Sequence, residues 1–130
     1  MSNTYNGRVV YKGNVSGEAL VYPDGLNMLE TYLANRRALR GKIVCLSQTI
    51  GSTTGGMILQ TMIQEGNAPK AMLFSQAVDP LAVAGLVLAE VWSSKQLITV
   101  DQLGQDFLET VKVRQQIQVS DSGEVTLATP

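Results

Sequence analysis

The sequence contains no histidine and only one cysteine, Cys45. Without histidine there is no Ser-His-Asp or Cys-His catalysis, no histidine metal ligand and no phosphohistidine carrier. A single cysteine precludes an internal disulfide, and its position within an apolar run reads as a small hydrophobe. A metal held by this chain alone would need carboxylates, and the sequence shows no close acidic cluster, so no metal site is expected. Aromatic residues are few, with two Phe, four Tyr and one Trp, and the net charge is -1 with a pI of about 5.3. With neither a basic footprint nor a series of stacking rings, no nucleic-acid partner is expected. No run approaches the roughly 20 apolar residues that span a bilayer. The polar start, Met1-Ser2-Asn3-Thr4-Tyr5-Asn6, lacks the character of a signal peptide. A cytoplasmic chain without a membrane partner is expected.

What is present is an ordinary globular composition, 45% hydrophobic and 16% charged over 130 residues. That length reads as one domain, 1–130, able to bury its own core. The chain is organised around Gln48-Thr49-Ile50-Gly51-Ser52-Thr53-Thr54-Gly55-Gly56. Lys42 to Leu46 before it is an apolar, β-branched run of strand length. Met57 to Glu65 after it reads as a helix closed by Gly66. A strand, a glycine- and hydroxyl-rich turn and a helix together can build an anion site. Unpaired N–H groups and the positive end of the macrodipole meet there, and glycine lets the backbone come close. The turn is not a Walker A loop, a dinucleotide GxGxxG or a GxSxG nucleophile elbow. Taken alone, it is equally a hydroxyl-capped helix start.

Around this centre, Gly7 to Lys12 and Gly17 to Tyr22 read as strands joined by a turn at Gly13-Asn14. Leu26 to Leu39 has apolar residues at three- and four-residue spacing, which predicts a short amphipathic helix or compact loop. It ends in Arg36, Arg37 and Arg40, followed by Lys42. These are either a solvated helix C-terminus or a surface that attracts anions. Lys70 to Ser75 reads as a strand. Asp79-Pro80 is a helix cap followed by a first helical residue. The helix Leu81 to Val91 is apolar nearly all round and is expected to be buried, with Gly85 allowing close packing. Leu97 to Val100 is a further strand, and a short helix from Gln105 to Val111 is expected, capped by Asp101 or a neighbour. Val113 to Val119 and Glu124 to Leu127 alternate about Asp121-Ser122-Gly123 as a hairpin. The expected fold is a mixed α/β (α+β) arrangement, a mixed sheet or small barrel with helices on one side.

Several segments together resemble the small swivel domain of the aconitase X family. They are Gly17-Glu18-Ala19-Leu20-Val21, Leu39-Arg40-Gly41-Lys42-Ile43-Val44, Gly51-Ser52-Thr53-Thr54-Gly55-Gly56, Glu65-Gly66-Asn67-Ala68-Pro69-Lys70-Ala71 and Ala84 to Ala89. The resemblance implies a three-layer β/β/α swivelling domain. It also implies a large-subunit partner that carries an iron–sulfur cluster on its own cysteines, this chain binding no cofactor itself. Relatives of this kind dehydrate hydroxy acids such as cis-3-hydroxy-L-proline or phosphomevalonate. By the same resemblance Ser52 is the proton-transfer residue, while Gly51, Thr53, Thr54 and Gly55 hold a small anionic substrate. A serine acts as base only with a strongly lowered pKa, which a helix N-terminus and backbone N–H donors would favour. The chain departs from the family pattern at Ile50, where Arg or Lys is common, and at Gly56, where a hydroxyl closes the turn. The alternative reading is a non-catalytic binding or regulatory module on the same fold. On either reading the chain alone is expected to be inactive.

Overall fold

The computed structural model describes residues 3–51 and 54–129. The chain opens with β1 (Thr4–Asn6) and β2 (Arg8–Tyr11), separated by Gly7 alone. It continues through β3 (Val15–Tyr22), β4 (Leu26–Asn27), α1 (Met28–Ala34), β5 (Ile43–Leu46) and β6 (Thr49–Ile50). Then come α2 (Thr54–Glu65), β7 (Ala71–Phe74), α3 (Pro80–Ser93), β8 (Ile98–Asp101), α4 (Gln105–Thr110), β9 (Gln116–Val119) and β10 (Glu124–Leu127). Eight strands form one sheet in the order β1-β10-β9-β3-β5-β7-β8-β2, and β4 pairs with β6 in a small second sheet.

The two edge strands of the large sheet are neighbours in the chain, so the sheet curls into a nearly closed barrel. Gly7 is the joint, and its N–H donates to the Gly123 carbonyl at 3.1 Å. A Cβ at Gly7 would stand 2.5 Å from the Asp101 carbonyl oxygen and 2.6 Å from Val100 Cγ1, so the joint leaves no room for one. Strands β3, β5, β7 and β8 run parallel, and the remaining pairings of the large sheet are antiparallel. A hairpin between the first two long strands was expected from Gly13-Asn14. Instead β2 pairs with β8, and β3 pairs with β5 and β9. Burial explains the preference, because β3 reaches two partners only by leaving β2.

All four residues of β5 and of β7 are buried, which is why both read as unbroken apolar runs. Strand alternation sends Ile43, Cys45, Ala71 and Leu73 into the barrel, where they meet Phe107, Leu108, Ile117 and Val125. It sends Val44, Leu46, Met72 and Phe74 to the other face, against Leu59, Met62, Leu86 and Ala89 of α2 and α3. This is the expected mixed architecture, with α1, α2 and α3 on one side. The short α4 sits apart from them and contributes Phe107 and Leu108 to the barrel core.

Three local expectations change. The helix after β4 spans only Met28–Ala34, because Asn35 leaves helical geometry with φ -162°. The start of α4 has no side-chain cap. Asp101 instead accepts from Arg8 and from the Val78 N–H. And α3, apolar nearly all round, is not buried all round: Val83, Val87, Val91 and Trp92 project into solvent, with Trp92 71% exposed. No helix among the described residues is long and apolar enough to cross a membrane.

Helices α2 and α3 meet backbone to backbone. A Cβ on Gly85 would lie 2.5 Å from the Gly56 carbonyl oxygen, and one on Gly56 would lie 2.7 Å from the Leu81 carbonyl. Gly85→Ala should therefore push the helices apart and cost about 1–3 kcal/mol, lowering the melting midpoint by roughly 5–10 °C. Thermal unfolding followed by circular dichroism checks this, and an unchanged midpoint would show that the crossing is not tight.

Candidate functional site

The central turn follows the C-terminal end of β5, beside the C-terminal end of β7. In open parallel sheets that edge is where ligands bind. Ser47 and Thr49 lead out of β5 and are buried, which holds the approach to the turn inside the structure. Thr49 and Ile50 form β6 and pair in parallel with Leu26 and Asn27 of β4. The Leu26 N–H donates to the Gln48 carbonyl at 3.0 Å.

Gly51 has φ +110° and is solvent-exposed. A side chain there would be strained, and its Cβ would lie 2.9 Å from Asn27 Nδ2. The position is glycine for conformation and for space together. Ser52 and Thr53 lie outside the described residues. Thr54 opens α2 and is exposed, whereas Gly55 and Gly56 are buried. A Cβ on Gly55 would sit 4.0 Å from Met28 Cβ. Whatever Gly55 offers a ligand is therefore its backbone N–H, one of the groups that a helix start leaves without intrahelical partners. Thr54 and Gly55 thus stand in the first turn of α2, and Gly51 precedes that helix by three residues.

Two helix caps also hold the strand that feeds the turn. Asn27 Oδ1 accepts the Glu30 N–H at 3.0 Å and caps α1, while the Asn27 backbone pairs with Ile50. Asp79 Oδ2 accepts the Ala82 N–H at 3.1 Å and caps α3. The same carboxylate accepts the Thr49 N–H at 2.7 Å through Oδ1 and the Thr49 hydroxyl through Oδ2. One residue earlier, the Val78 N–H donates to Asp101 Oδ2 at 2.7 Å. Asp101 is wholly buried and receives Arg8 in a fork, Nε to Oδ1 at 2.9 Å and Nη2 to Oδ2 at 2.6 Å. Charge-assisted bidentate pairing of this kind is what makes a buried carboxylate tolerable.

Reasoning from the sequence found Asp79 only as a cap and missed its bonds to Thr49. It also missed the Arg8–Asp101 pair, whose members are 93 positions apart and carry no local signal. Of the basic cluster, Lys42 stands away from the turn. Lys42 immediately precedes β5, at the end of the strand opposite to the turn, and pairs with Glu18 at 2.8 Å, holding that carboxyl below the usual carboxylate range. Arg36 stacks over the Tyr32 ring at 5.3 Å. Cys45 is buried in the barrel and burial pushes its thiol well up, as an inert core residue requires. Among the described residues no group of three or more His, Cys, Asp or Glu side chains could hold a metal. Two surface hollows of about 340 and 350 Å³ lie instead against the outer side of β9, lined by residues such as Gln116, Gln118 and Arg114. Neither reaches the turn.

Comparison with known proteins adds a lineage to this geometry. The family described as the aconitase X swivel domain matches residues 4–127. The phosphomevalonate dehydratase small subunit of Aeropyrum pernix is 28% identical, over 97% of this chain and 94% of that protein. The protein of the same name from Methanosarcina acetivorans is 24% identical, over 95% and 90% respectively. The crystal structure of Thermococcus kodakaraensis aconitase X in its holo-form shares the fold with a TM-score of 0.80. That likeness covers 97% of this chain and 98% of the other at 20% identity.

If Asp79 anchors the turn as described, Asp79→Ala should cost about 1–2 kcal/mol of stability through the lost cap. It should also speed amide hydrogen exchange at Thr49, where the cap's second role is read. Slow exchange at Thr49 in a folded Asp79→Ala protein would separate the cap from the turn.

Proposed function

Because the chain belongs to the aconitase X swivel-domain family, we propose that it is the small subunit of an aconitase X-type hydro-lyase. It works in one site shared with a large subunit and is inactive alone. Residues 1–130 are read as one swivel domain. The observation that carries this reading is the family match across the strand, glycine turn and helix that hold Gly51 at the start of α2. The proposed substrate is a small hydroxy acid bearing a carboxylate or phosphate. The names of the relatives favour phosphomevalonate over cis-3-hydroxy-L-proline.

Dehydration removes a proton from one carbon and hydroxide from its neighbour, leaving a carbon–carbon double bond and water. In the proposed scheme Ser52 moves the proton. Gly51, Thr53, Thr54 and Gly55 hold the anionic group by backbone N–H and hydroxyl donors at the helix N-terminus, where the dipole favours negative charge. Asn27 and Asp79 keep the strand before the turn in register, so that the donors are fixed before substrate arrives.

The described residues do not fit an iron–sulfur cluster. They offer no metal-binding group of side chains, and the single thiol is buried in the barrel. A cluster serving this reaction is assigned to the large subunit, where it would supply Lewis-acid help to the departing hydroxyl.

Ser52→Ala in the reassembled two-subunit enzyme should lower kcat by roughly 10²–10⁴-fold, with KM and the melting midpoint little changed. Steady-state kinetics with phosphomevalonate read this directly. Turnover within threefold of the unaltered enzyme would remove Ser52 from the chemistry. An unaltered complex inert toward both substrates would favour the non-catalytic module.

A further inference from the structure

Helix α3 carries one charged residue, Glu90. Its carboxylate is already engaged, accepting from Gln96 Nε2 and from the Tyr11 hydroxyl, which burial first, and then the charge and hydrogen bond of Glu90, hold above its ordinary range. The side of α3 that faces solvent is therefore free of unpaired charge. It presents Val83, Val87 and Val91 at four-residue spacing and then Trp92, the only tryptophan of the chain, with Val91 67% and Trp92 71% exposed. Val83 and Trp92 stand about 14 Å apart along the helix and on opposite flanks of its exposed side, so these side chains together span that side. Ala84, on the same exposed side, lies 3.6 Å from where a Gly56 Cβ would be. The next residue of α2 is Met57, itself 62% exposed. Met57 thus stands one residue beyond the glycine crossing.

An exposed helix side made of apolar residues and a tryptophan is the composition of a buried interface, not of a free surface. We infer that this face, Met57, Val83, Val87, Val91 and Trp92, is where the large subunit seats. The inference rests on the small-subunit reading above. Two features favour that occupant. The relatives named as small subunits are matched over 94% and 90% of their own length, which leaves them almost no chain of their own to cover this face. The face also begins beside the candidate turn: Met57 lies in the first turn of α2, and Val83 is one turn from the Asp79 cap. A second copy of this chain would bring only another such turn, with no further group to complete the site.

The test uses the full chain and the purified aconitase X-type large subunit from the same source, with affinity read by titration calorimetry. Val87→Glu should weaken binding at least 100-fold and Trp92→Ala at least 10-fold. Both side chains are exposed, so circular dichroism and the melting midpoint should change little. Val91→Asp is the second charge variant should Val87→Glu not fold, and Gln118→Glu, on the outer side of β9, should bind as the unaltered chain does. Unaltered affinity in folded Val87→Glu and Val91→Asp, with the original chain binding normally, overturns this face and leaves the small-subunit reading intact. Absence of any complex with the original chain instead removes the reading beneath it. Self-association by sedimentation that Val87→Glu abolishes, without loss of large-subunit affinity, assigns the face to a second copy and overturns the inference.

Discussion

A carboxylate relay, wholly buried at Asp101 and half-buried at Asp79, governs how the site end of this molecule is built. Arg8 forks onto Asp101, Asp101 takes the Val78 N–H, and the adjacent Asp79 takes Thr49 by both backbone and hydroxyl. Asp101 is fully buried, while Arg8 keeps 57% of its side chain exposed. Removing one partner of such a pair leaves an uncompensated charge inside, which costs more than the pair itself contributes. The relay therefore fixes three separate pieces of chain relative to one another: the barrel joint after Gly7, the start of α3, and the strand before Gly51. It explains why the turn is presented in one place although neither β4 nor β6 exceeds two residues.

Around that relay the fold solves two packing problems. The barrel closes only because Gly7 and Gly123 let the first strands and the last hairpin approach backbone to backbone. The helical layer comes close only because Gly56 and Gly85 face one another. Between them β5 and β7 are buried on both faces and tie the two cores into one body. The start of α2 is thus set by the helix crossing on one side and by the capped strand on the other. A site placed on such elements is held more rigidly than one on a free loop.

Local chemistry made much of this legible from residues alone. Gly66 ends α2 with φ +77°, Asp79-Pro80 begins α3, and the hairpin about Asp121 to Gly123 pairs as its alternation predicts. The need for glycine at position 51 was readable as well, because a strand-to-helix turn commonly demands positive φ. Pairings between distant strands were not readable. Nothing near Arg8 points to Asp101, and nothing near Gly13 shows that β2 leaves β3 for β8. The exposure of α3 was misread for a related reason. A helix apolar on every side has no periodicity to say which side faces out, and only the packing of Gly85, Leu86 and Ala89 decides it. For the site, the capping role of Asp79 was visible, but its grip on Thr49 needed three dimensions.

The central claim is that this chain completes a dehydratase site that neither subunit holds alone. The most direct measurement follows phosphomevalonate by proton NMR with this chain, the large subunit, and the two mixed. The account predicts a new alkene proton signal, with loss of the methylene signals next to the hydroxyl-bearing carbon, only in the mixture. Equal conversion by the large subunit alone, or none in a mixture shown to have formed the complex, would contradict it.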